Sequence, residues 1–162
     1  MSEPQVERAR IEDVPELARL RWELYAEQGG DPTEGFDAYA ERFSHFARSA
    51  LTSKDWLAWV ARADDRLVGA MWLHTVPRVP VPGKRAGAIG YLTNVYVSPD
   101  LRNAGLGAEM LDRMRAWCAE EGFSLVIVWP TERSRPFYRR GGFDRPDEPL
   151  VMDIGPDVPL ER

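Results

Sequence analysis

The stretch VSPDLRNAGLGAEML, from Val97 to Leu111, decides how this chain folds and raises its main functional question. An apolar run precedes it and a helix-like pattern follows, and between them Arg102, Gly105 and Gly107 form an R-x-x-G-x-G sequence. A strand, a tight glycine turn and a helix leave the first N–H groups of the helix without internal partners, beside the positive end of the helix dipole. The stretch therefore predicts either a plain strand-to-helix turn or a turn whose bare amides bind an anion such as phosphate.

The glycine spacing excludes two familiar phosphate-binding loops. No Gly-Lys-Ser/Thr sequence follows, so the turn is not a Walker A loop, and the G-x-G-x-x-G of dinucleotide sites is absent. Glycine at positions 105 and 107 would still let a bulky anion approach the main chain closely, because neither residue has a Cβ.

Composition places the chain among ordinary single-domain globular proteins. It has 162 residues, of which 44% are hydrophobic and 29% charged, enough for one packed core. We expect a single domain over residues 1–162, with its core at about 6–154 and a frayed tail at 155–162. One cysteine, Cys118, excludes an internal disulfide, and two distant histidines, His45 and His74, predict no metal site.

The net charge and the hydropathy of the chain argue against two classes of partner, nucleic acids and membranes. The net charge of −5 argues against a general nucleic-acid binder, which needs a basic surface. The first residues, MSEPQVERAR, lack the basic-then-apolar pattern of a signal peptide, and no apolar run approaches the roughly 20 residues that span a bilayer. We therefore expect a cytoplasmic protein with neither a nucleic-acid nor a membrane partner.

Hydrophobic periodicity and turn residues predict a mixed α/β domain, of the α+β kind, with helices on both faces of one sheet. Asp13 as N-cap and Glu16 three residues later read as a capping box that opens the first helix. The apolar run at 124–130 predicts a strand buried on both faces. The predicted elements are a strand at 6–11, helices at 13–28 and 35–50, a hairpin at 56–76 turning at 63–66, a strand at 88–97, a helix at 105–121, a strand at 124–130, a short helix within 133–143 and a last strand at 149–154.

Three elements in order resemble the GCN5-related N-acetyltransferase (GNAT) superfamily. They are a strand ending in V-x-V-x-P (95–99), the R-x-x-G-x-G loop (102–107) and an F-Y-x-x-x-G-F segment (137–143). The resemblance spans residues 6–154 in element order and is strongest from 91 to 143. It implies a central, mostly antiparallel sheet that is splayed between the strands 88–97 and 124–130.

The resemblance also implies acetyl-CoA as acyl-donor cosubstrate, with no metal. The main chain of Val95, Tyr96 and Val97 would pair with the pantetheine arm, and Thr131 and Ser134 would contribute to the same binding site. The pyrophosphate would lie on the amides of Arg102, Asn103, Ala104, Gly105, Leu106, Gly107 and Ala108. Two positions depart from the family pattern: Asn103 stands where glycine is common, and Thr131 stands where asparagine is common.

Acyl transfer to an amine needs a neutral nucleophile, donors for the oxyanion and a proton for the leaving thiolate. Backbone N–H groups near Val95 could serve the oxyanion, and Tyr138 could protonate the sulfur or could simply pack on the sheet. The general base is open, because residues 88–97 contain no acidic side chain. The candidates for the base are His74, Glu23, Glu27, Asp31 and water.

The resulting hypothesis is an acyl-CoA-dependent N-acyltransferase that moves acetyl to a primary amine of a small molecule or peptide by direct attack. A non-catalytic acyl-CoA sensor with the same fold is the alternative, and a ligand-free structural domain is a third interpretation. The acidic N-terminal half favours cationic acceptors slightly. An exposed last strand at 149–154 would favour a homodimer.

Overall fold

The computed structural model describes residues 3–84, 87–145 and 149–152. Its strands are β1 (Gln5–Arg8), β2 (Trp56–Ala63), β3 (Arg66–Pro77), β4 (Ala88–Val97) and β5 (Leu125–Val128). Its helices are α1 (Val14–Glu27), α2 (Phe36–Thr52), α3 (Leu106–Glu120) and α4 (Arg135–Arg140), with short 3-10 turns at Ile11–Asp13 and Pro99–Leu101. These bounds confirm the predicted elements as far as residue 143, mostly within two or three residues at each end.

Among the described residues the sheet has five strands in the order β1-β2-β3-β4-β5. Neighbouring strands are antiparallel, except that β4 and β5 run parallel. Helix α3 makes the connection between those two parallel strands, as parallel pairing requires. The predicted α+β mixed, mostly antiparallel sheet is confirmed.

The sheet has a hydrophobic core on each face. Side chains of β2 alternate between them: Trp59 and Ala61 belong to one core, and Ala58 and Val60 belong to the other. The first core packs against α3 and α4, and the second packs against α1 and α2. The helices therefore cover both faces, as the periodicity predicted.

Helix α3 is anchored by an apolar stripe of four buried side chains. Met110, Leu111, Met114 and Cys118 recur at helical spacing and pack against the sheet. Burying a leucine or methionine side chain contributes roughly 1.5–3 kcal/mol, so this stripe fixes the helix firmly. Burial also raises the pKa of the Cys118 thiol to about 11, which keeps it protonated and unreactive.

The start of α1 differs from the predicted capping box. Asp13 occupies the N-cap position of α1 but makes no side-chain capping bond to that helix. Its buried carboxylate instead accepts the Arg10 N–H at 2.8 Å and a 2.6 Å bond from Arg62 on β2. Glu16 pairs with Arg19 rather than with the helix start. The carboxylate ties α1 to the sheet because an arginine from β2 lies within its reach.

Two predictions for the C-terminal part of the chain are wrong: the buried strand at 124–130 and the last strand at 149–154. Strand β5 is only partly buried, with Leu125 41% exposed, because it forms the edge of the described sheet rather than an interior strand. Residues 149–152 lie outside any strand, and Leu150 is 98% exposed. The remainder of the predicted last strand, 153–154, and the tail 155–162 lie outside the described residues. The homodimer expectation rested on that strand and stays a prediction.

Strands β4 and β5 separate part of the way along their length. Their pairing runs from Ile89 with Leu125 to Leu92 with Val128. Beyond Leu92, β4 continues to Val97 while β5 has ended, so one edge of residues 93–97 has no β5 neighbour. This is the splay predicted between the strands 88–97 and 124–130.

The opposite edge of the same segment carries a bulge. Ala70 pairs with Tyr96 and Trp72 with Thr93, so Asn94 and Val95 together face one residue of β3. Asn94 has a φ of 53°, in the left-handed region that asparagine tolerates better than most residues. The bulge turns the main chain at the point where the two parallel strands separate.

Candidate functional site

A cavity of about 940 Å³ opens where β4 and β5 separate. Its walls come from the C-terminal half of β4, the glycine loop with the start of α3, the end of β5, α4 and the end of α1. This volume lies at the upper end of the range typical of ligand sites. The cavity can therefore hold a molecule considerably larger than an amino acid or a single sugar.

Most residues predicted to bind the donor lie together in this cavity. The predicted residues that line it are Val95, Tyr96, Val97, Arg102, Asn103, Gly105, Gly107, Ala108, Thr131, Ser134 and Tyr138. Ala104 and Leu106 belong to the same loop but not to the lining, since Ala104 is exposed and the Leu106 side chain is buried in the core. Ala104 and Leu106 could therefore contact a ligand in the cavity only through their main-chain atoms.

The glycine loop has the geometry of an anion-binding turn. Asn103 and Gly105 have φ values of 63° and 86°, and Gly105 occupies the N-cap position of α3. The first helical bond runs from the Glu109 N–H to the Gly105 carbonyl, and no side chain caps the helix. The amides of residues 106–108 therefore precede the helical ladder, at the end of the helix that carries about half a positive charge.

The Arg102 side chain is engaged by protein groups. Its guanidinium makes two bonds to the Glu27 carboxylate, at 2.8 and 2.5 Å, and its Nε donates to the Val97 carbonyl at 2.8 Å. Arg133 approaches the same carboxylate at 3.2 Å. Glu27 thus links the end of α1 to the glycine loop and to the segment before α4. An anion in the loop would depend chiefly on main-chain amides.

This carboxylate predicts a specific acid sensitivity. Bonding to Arg102 lowers the pKa of Glu27, so its contribution to stability is present above the unfolded pKa of about 4.3 and is lost as the pH falls through the lower, folded pKa. Glu27→Gln should therefore lower the free energy of unfolding at pH 7, by up to about 1 kcal/mol. Urea unfolding at pH 7 and at pH 3 measures this difference.

The matched control is Glu132→Gln, which removes an exposed carboxylate paired with Arg135 at 2.9 Å. Because Glu132 is 89% exposed, its removal should leave stability unchanged at both pH values. A loss in Glu27→Gln of the same size at pH 3 as at pH 7 would contradict a role for the ion pair.

Tyr138 lies on α4, only 8% exposed, and still lines the cavity. Its ring packs edge-on against Phe137 and Phe143, with ring centroids 5.0 and 5.6 Å apart. Burial raises the pKa of the hydroxyl well above its usual value of about 10, so the group is protonated at neutral pH. The packing role and the proton-donor role, which were alternatives in the sequence, are compatible in the structure.

Thr131 and Ser134 shape the entry to α4. The Thr131 hydroxyl donates to the Ser134 hydroxyl at 2.9 Å and accepts the Ser134 N–H at 3.1 Å. These bonds hold the turn between β5 and α4, and both residues face the cavity.

The four candidate bases occupy different environments. His74 stacks on Trp56 at 4.5 Å and does not line the cavity. Glu23 accepts bonds from Arg19 at 2.5 Å and from the Tyr96 hydroxyl at 3.3 Å, and neither it nor Asp31 lines the cavity. Glu27 lines it, but its lowered pKa makes it a weak proton acceptor.

Sequence reasoning missed several polar residues of the lining, among them Asn94, which lies at the bulge of β4. Asparagine is uncommon in strands and tolerates the left-handed region, and that combination was the available signal. It also missed the pairing of Glu27 with Arg102, for which no local signal exists.

Within the described ranges, no three or more His, Cys, Asp or Glu side chains are grouped so as to hold a metal ion. No helix in this part of the chain is both long and apolar enough to cross a membrane.

The parallel strands of the sheet separate beside the glycine loop, with the cavity in the gap, as the resemblance to the GNAT acetyltransferases implies. The model of the acetyltransferase (GNAT) family matches residues 14–143. The chain therefore belongs to the GNAT family of acetyltransferases.

Sequence relatives and solved structures agree with this membership. The chain is 30% identical over 89 residues to glucosamine 6-phosphate N-acetyltransferase of Trypanosoma brucei brucei, covering 55% of this chain and 58% of that protein. It is 36% identical over 76 residues to mycothiol acetyltransferase of Frankia alni, covering 46% of this chain and 23% of that protein. The matches thus span less than two thirds of either relative.

Two solved structures share the fold over nearly the whole chain. A predicted acetyltransferase from Clostridium acetobutylicum, solved with acetyl-CoA, has a TM-score of 0.78 at 21% identity and covers 93% of this chain and 96% of its own. A GCN5-related N-acetyltransferase from Ralstonia eutropha has a TM-score of 0.75 at 24% identity and covers 94% and 99%.

Proposed function

We propose that this protein is an acetyl-CoA-dependent N-acetyltransferase that acetylates a primary amine of a small molecule or peptide by direct attack. The observation that carries the proposal is the cavity itself. It joins a loop of uncapped amides, an open strand edge and a buried, protonated tyrosine in one space of about 940 Å³. Each feature matches one part of an acyl-CoA molecule or one step of acyl transfer.

The donor would bind along the open edge of β4 and into the glycine loop. The amides of residues 102–108 would hold the pyrophosphate, helped by the dipole of α3. The main chain of residues 95–97 would pair with the amides of the pantetheine arm, as a neighbouring strand would. Thr131 and Ser134 lie on the other wall, where their hydroxyls can reach the same arm.

The chemistry would take place at the bulge. There the amine nitrogen would bond to the carbonyl carbon and give a tetrahedral oxyanion, and the carbon–sulfur bond would break as this intermediate collapses. The Val95 N–H would stabilise the oxyanion, and the Tyr138 hydroxyl would give its proton to the departing thiolate. Burial keeps the Tyr138 hydroxyl protonated at neutral pH, and the same raised pKa makes it a weaker acid towards the thiolate.

No dedicated base is required by this proposal. Glu27 is ion-paired, and His74, Glu23 and Asp31 do not line the cavity. An amine that reaches the site in its neutral form can attack directly, and water in the open cavity can carry the proton that the nitrogen then loses back to the Tyr138 phenolate.

Two observations, weaker than those for the donor site, indicate which class of amine is the acceptor. The names of the two relatives describe acetylation of small molecules, one of them an amino sugar phosphate. The negative net charge favours cationic amines over anionic ones slightly. A small primary amine in the cytoplasm is therefore the first class to screen.

A non-catalytic acyl-CoA sensor is the second candidate. The feature that favours it is the lack of any acidic residue in 88–97, which leaves β4 without a carboxylate base. A sensor would bind acetyl-CoA in the same cavity without turnover, so free thiol release with a panel of amines distinguishes the two candidates.

Acetyl-CoA should raise the melting temperature, because a ligand held only by the folded state stabilises that state by mass action. At a concentration about 100-fold above Kd the gain is about 2.7 kcal/mol, or roughly 5–10 °C for a chain of this size. Acetyl-pantetheine, which lacks the pyrophosphate, should give a much smaller shift. No melting shift and no heat of binding at millimolar acetyl-CoA would contradict binding in the cavity.

A further inference from the structure

The cavity has two ends, which lie on opposite faces of the sheet. Leu92 belongs to the core beneath α3 and α4, where Tyr138 and the glycine loop also lie. Thr93 pairs with Trp72, a residue of the core beneath α1 and α2, and Tyr91 shares that face because strand side chains alternate. The donor proposed above enters from the first face, so the second face is left for the acceptor.

The acceptor end of the cavity is aromatic. Tyr91 and Trp129, which follows β5, both line the cavity, and their rings meet edge-on with centroids 5.2 Å apart. Both residues remain partly exposed, and within the described part of the chain neither ring packs against a third ring. Covering such rings removes apolar area from water, so they favour a ligand with a flat, apolar body.

The acceptor end also lacks charge. Charged side chains of the described lining come only from α1, the glycine loop, α3, α4 and the segment before α4: Glu27, Arg102, Asp112, Arg115, Arg133 and Arg140. Both carboxylates already bind arginines, Glu27 at the glycine loop and Asp112 with Arg115 on α3. A ligand beside Tyr91 and Trp129 is therefore held by apolar contact rather than by an ion pair.

The spacing along β4 limits how the ring and the amine of the acceptor are joined. Tyr91 precedes Val95 by four residues, which corresponds to roughly 10–13 Å between their Cα atoms in a bulged strand. The reacting carbonyl would lie at the Val95 N–H, away from a ring that packs on Tyr91 and Trp129. The nitrogen is therefore better placed at the end of a short saturated chain than directly on the ring.

We propose that the acceptor is an arylalkylamine, a primary amine joined to an aromatic ring by a short saturated chain, and that Tyr91 and Trp129 select it by packing against this ring; this inference rests on the proposed function. Such an amine is cationic in solution, in keeping with the negative net charge of the chain. In the uncharged end of the cavity its neutral, nucleophilic form is favoured, because burial without a carboxylate partner disfavours an ammonium ion. Tyr91 and Trp129 take no part in the bond changes of acetyl transfer.

Two amines of matched length test the proposal. 2-Phenylethylamine and 2-cyclohexylethylamine differ in whether the ring is aromatic and flat. The parent should have a kcat/KM about three- to tenfold higher for 2-phenylethylamine, the size expected of one aromatic contact. Trp129→Leu should bring the two kcat/KM values within twofold of each other and leave the KM for acetyl-CoA within twofold of the parent. Tyr91→Phe, which keeps the ring, should retain the preference.

The matched control is Trp117→Leu, which removes another partly buried tryptophan, packed against Trp59 and Phe123 and outside the cavity lining. It should keep the preference of the parent. A Trp129→Leu protein that retains the full preference would overturn the inference alone. So would a parent that acetylates any amine without an aromatic ring with a kcat/KM equal to or above that for 2-phenylethylamine. A parent without turnover on any amine would instead refute the proposed function, and the inference with it.

Discussion

Tyr138→Phe should lower kcat by about 10²–10⁴-fold, the usual contribution of a positioned general acid. The substitution keeps the ring and its contacts with Phe137 and Phe143, so the fold and the affinity for acetyl-CoA should change little. It removes only the buried hydroxyl, which is protonated at neutral pH because burial raises its pKa. Steady-state kinetics on an amine that the parent accepts, with the KM for acetyl-CoA as internal reference, measure the effect.

Tyr39→Phe is the control, since Tyr39 is a partly buried tyrosine that does not line the cavity. Its kcat should match that of the parent within threefold. A kcat for Tyr138→Phe that also lies within threefold of the parent would remove the hydroxyl from the mechanism and leave the ring with a packing role.

Gly107→Glu should weaken acetyl-CoA binding at least tenfold. A carboxylate at the start of α3 would repel the pyrophosphate from the amides of residues 106–108. The loss of one hydrogen bond to a charged group would by itself raise the Kd about tenfold. Calorimetric titration of folded protein with acetyl-CoA measures the change in Kd.

The substitution also crowds the core. A Cβ at Gly107 would lie 3.0 Å from Cε2 of Phe137, so this ring must shift. Gly107→Ala introduces the same crowding without the charge, and the difference in Kd between the two variants isolates the electrostatic effect.

Gly35→Glu provides the second control. It places a glutamate at the N-cap of α2, where a Cβ meets no atom within 4 Å, away from the cavity lining. It should bind acetyl-CoA as tightly as the parent. If folded Gly107→Glu also does so, the pyrophosphate does not lie on this loop.

The glycine loop was predictable because its structure is determined locally. The sequence pattern placed a turn between an apolar strand and an amphipathic helix, and Gly105 adopts the left-handed conformation at the helix start that such a turn needs. The β2–β3 hairpin at Asp64-Asp65 and the buried stripe of α3 were predictable for the same reason, since short-range periodicity and turn chemistry determine both.

Features that depend on distant parts of the chain were not predictable. Glu27 and Arg102 are 75 residues apart in sequence, and only the packing of α1 beside the glycine loop brings them together. The bulge at Asn94 is defined by the register with β3, which the sequence of β4 alone does not contain. The sequence around Asp13 matches a capping box, but its carboxylate binds Arg62 of β2 instead of capping α1.

The position of β5 was misjudged for a related reason. A continuous apolar run from Leu125 to Val128 is typical of a strand buried on both faces, and the number of neighbours that the strand obtains is a property of the whole sheet. The same run at the sheet edge leaves Leu125 41% exposed and opens the cavity where β5 ends.

An amine screen with acetyl-CoA tests the proposed acetyltransferase activity most directly. The purified protein is incubated with acetyl-CoA and a panel of primary amines, and both free thiol and acetylated amine are quantified. We expect at least one amine to release thiol above the amine-free background, with an equal amount of N-acetylated product. Binding of acetyl-CoA without thiol release on any amine would contradict the enzyme and favour the sensor.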